Sequence, residues 1–387
     1  MNKIIIILFS IFGEKEFLKY NINDYLKKKI SVEVWTLTNK NKKKKSCFRV
    51  KYFSRLSLLL KQIHKINKNN VVFDVLFFLT NIKTFRVYKA LSLSNSIYIT
   101  HPINYVPSVK KSKSFFNINK YLNLENFYFK IEKNLFNFLL FLRKIFYIQN
   151  LKCANYSYFR TKKEIYSNKN NLLISKKTKI LWGHVSDYNI YQKDTKNNKL
   201  EEKYIVFLDQ KIPSHSDLAK FRDIDSDKYY KSIIAFLNKL ELMYKKKIHI
   251  CLHPRDDLRS MRRYLPFDCS IGKTYEMIKK SAIVVTHGSD ATHLAVLLMK
   301  PIIIITNDQL NNSSYPHLKE IQDMGFKLKK NILNVDVSFK NSVISRSIKV
   351  SKKNYKIFTK NYIKYKGSSV TRSELIYKTM INEKIWR

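Results

Sequence analysis

Short β-branched runs alternate with helix-length stretches twice over in this chain, and that pattern leaves little choice of architecture. In the first half, Lys3–Ser10, Val32–Leu37 (VEVWTL), the apolar run Val71–Leu79 and Ser96–Thr100 (SIYIT) read as strands. Between them, Glu14–Lys29 carries Phe17, Leu18, Ile22 and Leu26 at helical spacing, and Leu58–Ile66 is a second helical stretch. NYSYFR (155–160) reads as a further strand, and ILWGHVSDY, from Ile180, as a turn segment. The alternation then restarts more cleanly: Tyr204–Leu208 strand, Asp227–Lys245 helix, Lys247–Leu252 strand, Lys273–Lys280 helix, Ala282–Thr286 strand, Asp290–Met299 helix and Pro301–Thr306 strand. Strands of this composition alternating with helices imply parallel sheets covered on both faces. The expected fold class is α/β, with two Rossmann-like domains facing a cleft. Residues 1–190 form the first, with a helical insertion near 109–150; residues 203–350 form the second; residues 351–387 are C-terminal helices. The polar stretch 188–201 is the linker candidate.

Composition narrows the class of protein. Over 387 residues, 45% hydrophobic and 14% aromatic content suffices for real cores and excludes wholesale disorder. With 6 glycines and 7 prolines the chain is neither collagen-like nor low-complexity. The four cysteines (Cys47, Cys153, Cys251, Cys269) form no CxxC pair, which argues against a zinc ribbon or a disulfide framework and fits a reducing cytoplasm. Lys plus Arg is 74 against 29 Asp plus Glu, a net charge of +45. The excess is lysine in an Asn- and Ile-rich background, as AT-biased codon usage produces, so a solvated lysine surface is one reading. The other is a field that attracts phosphate-bearing partners: anionic lipid, nucleic acid, or a nucleotide-linked substrate. No helix-turn-helix, RNP or zinc-finger pattern is present, so nucleic acid is not favoured.

The N-terminal MNKIIIILFSIFG resembles a signal h-region, but Glu14, Lys15 and Glu16 follow it in place of a small-residue cleavage site, and the run reads as a buried first strand. No window reaches the ~18 apolar residues of a spanning helix. The nearest, Leu135–Ile148, is interrupted by Asn137, Arg143 and Lys144 and reads as a core or an interfacial helix. The expected location is cytoplasmic, with a peripheral position on the inner face of the inner membrane as a further expectation.

Parallel sheets bind ligands at the carboxyl ends of their strands, so the residues just after each strand carry the chemistry. In the second half these form three clusters. In ICLHPRDD, an apolar strand delivers His253 to the sheet edge, Pro254 ends the ladder, and Arg255 adds a second donor for a phosphate. In VVTHGSDATHL, Thr286, His287, Gly288, Ser289 and Thr292 form a strand-to-helix turn. Its hydroxyls and free helix amides suit an anion, or else simply cap the helix. In FLDQKIPSHSDL, Asp209 follows a strand and His215 lies in the loop beyond. They can touch a nucleotide or act as base, or else form an Asx-type turn. Asp223 and Asp225 match DxD in letters but precede a helix, where capping is the simpler role.

His253-Pro254 after one strand, followed by Ser289 and Thr292 at a later strand-helix turn, resembles the HP and S/T motifs of GT-B glycosyltransferases. The resemblance is to bacterial sialyltransferases, polysialyltransferases and capsule Kdo transferases, and more loosely to CDP-glycerol glycerophosphotransferases; it covers roughly residues 200–306. It implies a metal-independent, nucleotide-sugar-dependent glycosyltransferase without a cofactor. Such an enzyme moves a sugar, such as a nonulosonic acid from a CMP donor, onto a capsule, lipopolysaccharide or lipooligosaccharide acceptor. His253 and Pro254 would bind the donor phosphate, and Ser289 and Thr292 the phosphate or nucleotide. The acidic D/E-D/E-G motif that supplies the base in that group is absent here. Glu14, on the loop after the first strand, stands in as general base, with Asp74 behind it. The alternatives are a glycerophosphotransferase of the CDP-glycerol type and a non-catalytic basic module that binds membrane or nucleic acid.

Overall fold

The computed structural model describes residues 1–9, 12, 16–17, 20–37, 49–67, 69–77, 82–101, 151–167, 173–194, 202–214, 224–254, 256, 258–313 and 318–386. The lysine run 42–45 and the whole stretch 109–150, including Leu135–Ile148, lie outside the described residues. The described residues fall into two compact units. One takes those within 1–105, 121–186 and 364–387; the other takes those within 187–363.

The first unit is built on a seven-stranded sheet: β1 (Lys3–Leu8), β2 (Ser31–Leu37), β3 (Arg49–Phe53), β4 (Val71–Val75), β5 (Ile97–Thr100), β6 (Tyr156–Phe159) and β7 (Lys179–Trp182). The strands are parallel and lie in the order β3-β2-β1-β4-β5-β6-β7. β1 sits at the centre because its side chains are apolar on both faces: Ile4, Ile6 and Leu8 enter one core, Ile5 and Ile7 the other. The second core is closed by the helices Leu56–Lys65 and Ile82–Leu93, through Leu59, Ile63, Val87, Tyr88 and Leu91. The first core is closed by the helix Arg372–Asn382, through Ile376 and Met380, and by Trp386.

The second unit repeats the plan with six strands: β8 (Tyr204–Leu208), β9 (Lys247–Cys251), β10 (Asp268–Ser270), β11 (Ser281–Thr286), β12 (Ile302–Thr306) and β13 (Ile332–Asn334). Their order, β10-β9-β8-β11-β12-β13, with every pair parallel, is the doubly wound order. The helix Ser226–Tyr244 packs Tyr229, Ile233, Phe236, Leu237 and Leu240 inward. Asp225 caps it, accepting from the amides of Asp227 at 3.0 Å and Lys228 at 3.1 Å. The cap is the role expected for the second aspartate of the DxD-like letters.

The structure departs from the sequence expectation in three places. Residues 188–194 of the supposed linker are part of a helix, Ser186–Asp194, whose Asp194 is tied to Lys279 at 2.6 Å. ILW is a sheet strand, β7, rather than the start of a turn. The segment 351–387 divides between the units: residues up to Ile363 belong to the second, while residues from Lys364 onward belong to the first and bury Ile376, Met380 and Trp386 in its core. No helix among the described residues is long and apolar enough to cross a membrane.

Gly183, just after β7, shows how tightly the first unit is closed. The Tyr158 hydroxyl accepts from the His184 amide at 3.0 Å and donates to the His184 carbonyl at 2.9 Å, wrapping the phenol over Gly183. A Cβ on residue 183 would stand 2.0 Å from that hydroxyl. Gly183→Ala must therefore expel Tyr158 and lose both bonds. A loss of about 2 kcal/mol or more is expected, read as a lower urea midpoint with unchanged slope.

Candidate active site

Ladder register brings the three sequence clusters of the second unit to one edge. Leu208 at the end of β8 pairs with Cys251 at the end of β9 and with Thr286 at the end of β11. Asp209, the Leu252-His253 pair and His287-Gly288 therefore emerge side by side. Neighbouring strands lie ~4.8 Å apart, so the β9 and β11 tips stand ~10 Å apart across β8. The strand order reverses direction between β8 and β11, which is where doubly wound sheets open a crevice. His253 is partly exposed and Pro254 exposed; Ser289 and Gly288 are partly exposed. Glu14, His215 and Arg255 lie outside the described residues.

Three residues expected to meet a donor serve the turn's interior instead. Thr286, His287 and Thr292 have no exposed surface. The Thr286 hydroxyl accepts from the Gly288 amide at 3.0 Å and the Ser289 amide at 3.1 Å, with the Thr292 hydroxyl 3.4 Å away. His287 Nδ1 donates to the Ile305 carbonyl at 2.8 Å, which leaves Nε2 to accept from the Tyr229 hydroxyl at 2.8 Å. Burial holds its pKa down at about 4, so it stays neutral at physiological pH. The expected row of free helix amides is also corrected. Besides the two held by Thr286, the Ala291 amide donates to the Ser289 hydroxyl at 3.3 Å and the Thr292 amide to the Ser289 carbonyl at 2.9 Å. The turn is self-satisfied, because a threonine at the strand end offers a nearer acceptor than any ligand. Gly288 has φ +106, a conformation costly for any residue with a Cβ.

Asp209 is the titratable group at the centre of the edge. Its Oδ1 accepts the Lys211 amide at 2.8 Å, the Asx-type contact, while its Oδ2 and the Tyr264 hydroxyl are both buried, the hydroxyl standing near enough to the carboxylate to lower its pKa. Burial pushes its pKa up to about 6; the Lys211 amide pulls against this, and nearby Asp256 adds to it. Asp256, with no exposed side-chain surface, is held by Lys211 Nζ at 2.7 Å and Arg263 Nη2 at 2.9 Å. Arg263 also donates to the Tyr230 hydroxyl at 2.6 Å. Sequence reading missed this carboxylate–guanidinium cluster behind the His253 loop. Its one signal was charge density, in RDD and MRRY. A shallow depression of about 550 Å³ lies along Asp227, Tyr230, Lys231, Asn238 and Arg263, and contains none of the strand-tip residues. Among the described residues no group of three or more His, Cys, Asp or Glu is placed to hold a metal ion.

Two parallel, doubly wound sheets, one in each unit, give an α/β fold of two Rossmann-like units, the GT-B type of fold. No protein-family model matches the chain, and no curated protein matches it. Solved structures resemble it in fold. The UDP-GlcNAc 2-epimerase of Methanocaldococcus jannaschii gives a TM-score of 0.53 at 12% identity, over 98% of this chain and 99% of that one. S. aureus MnaA, solved with UDP, gives 0.51 at 11% identity, over 100% of this chain and 98% of that one. The wall teichoic acid polymerase TagF gives 0.48 at 11% identity, over 99% of this chain and 89% of that one.

Asp209 gives the site a pH signature. Below about pH 4 the folded and unfolded states both hold its proton. Between about 4 and 6 only the folded state does, so stability falls as pH rises through that window. Asp209→Asn removes the charge and the loss. The variant is expected to be stabilised by roughly 2–3 kcal/mol relative to wild type above pH 6, with the gap closing below pH 4. Urea titrations at pH 4 and 7.5 measure it.

Proposed function

We propose that the chain is a nucleotide-sugar-dependent glycosyltransferase of surface-glycan synthesis. The observation that carries this reading is the common edge of β9, β8 and β11, where His253, Asp209 and Ser289 emerge in register at a switch point. Such an edge suits an elongated anionic ligand. An imidazole at one side and a hydroxyl at the other are spaced for a phosphate and its attached nucleoside, and the basic chain, at +45, favours a phosphate-bearing donor. His253 would donate to the leaving phosphate, and Ser289 to the phosphate or nucleoside. A CMP-linked donor, such as a nonulosonic acid, is favoured by the order of the HP and S/T motifs, and the reading requires no metal ion and no cofactor. The acceptor would be a lipid-linked or polymeric glycan, met at an anionic membrane surface that the lysine excess would attract.

A nucleotide panel tests it. CMP, CDP, UDP and GDP are added in turn to the full chain, and melting temperature is followed. CMP is expected to stabilise most, by ~2.7 kcal/mol at a hundredfold excess over Kd. His253→Ala should cut that stabilisation by half or more while leaving the ligand-free melting temperature within a few degrees. If no nucleotide shifts the melting temperature, and binding to anionic vesicles or RNA collapses with salt, the chain is a basic binding module instead. A phosphodiester product on mass spectrometry would assign a glycerophosphotransferase.

A further inference from the structure

The first unit carries its charge unevenly between the two faces of its sheet. The helices Leu56–Lys65 and Ile82–Leu93 cover one face, through Leu59, Ile63, Tyr88 and Leu91. From Arg49 to Ser96 the chain contains a single acid, Asp74. That carboxylate is buried within β4 and paired with His101 and Arg372, so no acid of this stretch reaches the surface. The outer sides of the two helices are basic. Leu58, Lys61 and Lys65 are exposed at i, i+3 and i+7 on the first. Ile82, Arg86, Lys89 and Leu93 are exposed at i, i+4, i+7 and i+11 on the second. Both spacings return to one side of a helix, so each helix presents a single stripe. Around the helix Arg372–Asn382, which closes the other face, the signs are mixed: Lys28 and Lys378 pair with Glu374 at 3.0 and 3.3 Å, and Lys179 pairs with Glu383.

A merely solvated lysine surface has no need of the aliphatic side chains that stand within these stripes. Leu58 is 49% exposed, Ile82 60% and Leu93 57%. One exposed leucine by itself is ordinary. Here Ile82 and Leu93 bracket Arg86 and Lys89 along one stripe ~16 Å long, and Leu58 heads the stripe of Lys61 and Lys65. Cations flanked by aliphatic anchors, with no acid on either helix, match the headgroup and acyl layers of an anionic bilayer. The long stems of Lys and Arg let their charges reach lipid phosphates while the shorter aliphatic side chains enter the boundary beneath. Nucleic acid fits less well, because its single strands are held by stacking on exposed aromatic rings as well as by phosphate contacts. Both aromatic residues of the helix Ile82–Leu93, Phe85 and Tyr88, are buried, and the helix Leu56–Lys65 has none.

We propose that this face of the first unit docks on a bilayer of anionic phospholipid, with Lys61, Lys65, Arg86 and Lys89 at the headgroup phosphates and Leu58, Ile82 and Leu93 in the acyl boundary. The docking is interfacial and reversible, since no helix among the described residues is long and apolar enough to span. Each basic side chain close to such a surface adds about fivefold to the partition. Salt screens that part and leaves the aliphatic part in place. In the transferase reading, on which its purpose rests, the face brings the enzyme to a lipid-linked acceptor; the docking itself needs no nucleotide.

The test sediments the full chain with vesicles of phosphatidylcholine, alone or mixed with phosphatidylglycerol. The wild type should bind the mixed vesicles and leave the neutral ones. The triple variant Lys61→Gln, Arg86→Gln, Lys89→Gln should bind about 100-fold more weakly. A second triple variant, Lys352→Gln, Lys353→Gln, Lys356→Gln, removes the same charge from exposed positions of the second unit and should lose less than about threefold. Ile82→Ser with Leu93→Ser should weaken binding about tenfold or more at unchanged charge. All of these change exposed side chains, and the variants should melt within a few degrees of wild type. Equal losses in the two triple variants would make the attraction a property of the whole +45 chain and overturn the proposal, as would serine variants that bind like wild type. No binding to the mixed vesicles overturns it, and so does a first triple variant that loses affinity for an RNA oligonucleotide and none for vesicles. If a nucleotide shifts the melting temperature while vesicle binding fails, the docking face falls alone. If vesicles bind through this face and no nucleotide shifts the melting temperature, the transferase reading falls alone.

Discussion

A parallel strand buried on both faces has room for polar side chains only where it ends, and most of this protein's organisation stems from that constraint. β1, β8 and β12 are apolar along nearly their whole length, and their backbone groups are paired to neighbours on both sides. Chemistry is thereby pushed to the carboxyl tips, and the ladder register decides which tips lie together. Leu208, Cys251 and Thr286 share one level, so the residues just beyond them in the chain are gathered in space without any long-range signal in the residues themselves.

Identical residue types meet different fates at those tips, and hydrogen-bond accounting separates them. His287 and His184 both lie just past strand ends, but each has two ring nitrogens engaged within the fold: His287 with Ile305 and Tyr229, His184 with the Val185 and Val370 carbonyls. Burial lowers the pKa of both; His287 rests neutral as one donor and one acceptor, while His184, when neutral, can donate to only one of its two carbonyls. His101 differs in that its protein partners, Asp74 and Arg372, both meet it at Nε2. Thr286 likewise spends its hydroxyl on the amides that an anion would otherwise have used.

Much of the architecture was legible because buried strands are compositionally loud. IIII, YIVFL, AIVVT and PIIIIT were each found at nearly their true bounds, and so was the long helix Ser226–Tyr244. β3, β10 and β13 were not found. RVKYF alternates with charge, and the other two strands have three residues each; all three are edge strands, half solvated and without an apolar run. The grouping of strand-end positions was legible, since His253, Asp209 and Ser289 follow strands of one sheet edge. What sequence could not supply was burial: Thr286 and Ser289 look alike as letters, yet one is sealed in the turn and the other reaches its surface. Arg372 was invisible for a different reason. It lies 298 residues from Asp74, and only the return of the chain's last helix to the first sheet brings the two together.

That return gives the last helix two tasks. Ile376, Met380 and Trp386 close the core against β1. One turn earlier, Thr371 caps the helix by accepting the Glu374 amide at 3.2 Å and donates to Asp24 at 2.8 Å, which fixes where residue 372 stands. The apolar end supplies the binding free energy that seats the helix, and the capped end uses that seating to hold a guanidinium beside a buried carboxylate. An isolated Asp74 inside β4 would have to be neutral to survive there. With Arg372 pinned beside it, the carboxylate remains charged, and a charged carboxylate is what orients an imidazole. The ionisation state of a residue on the fourth strand thus depends on hydrophobic packing by the final residues of the chain.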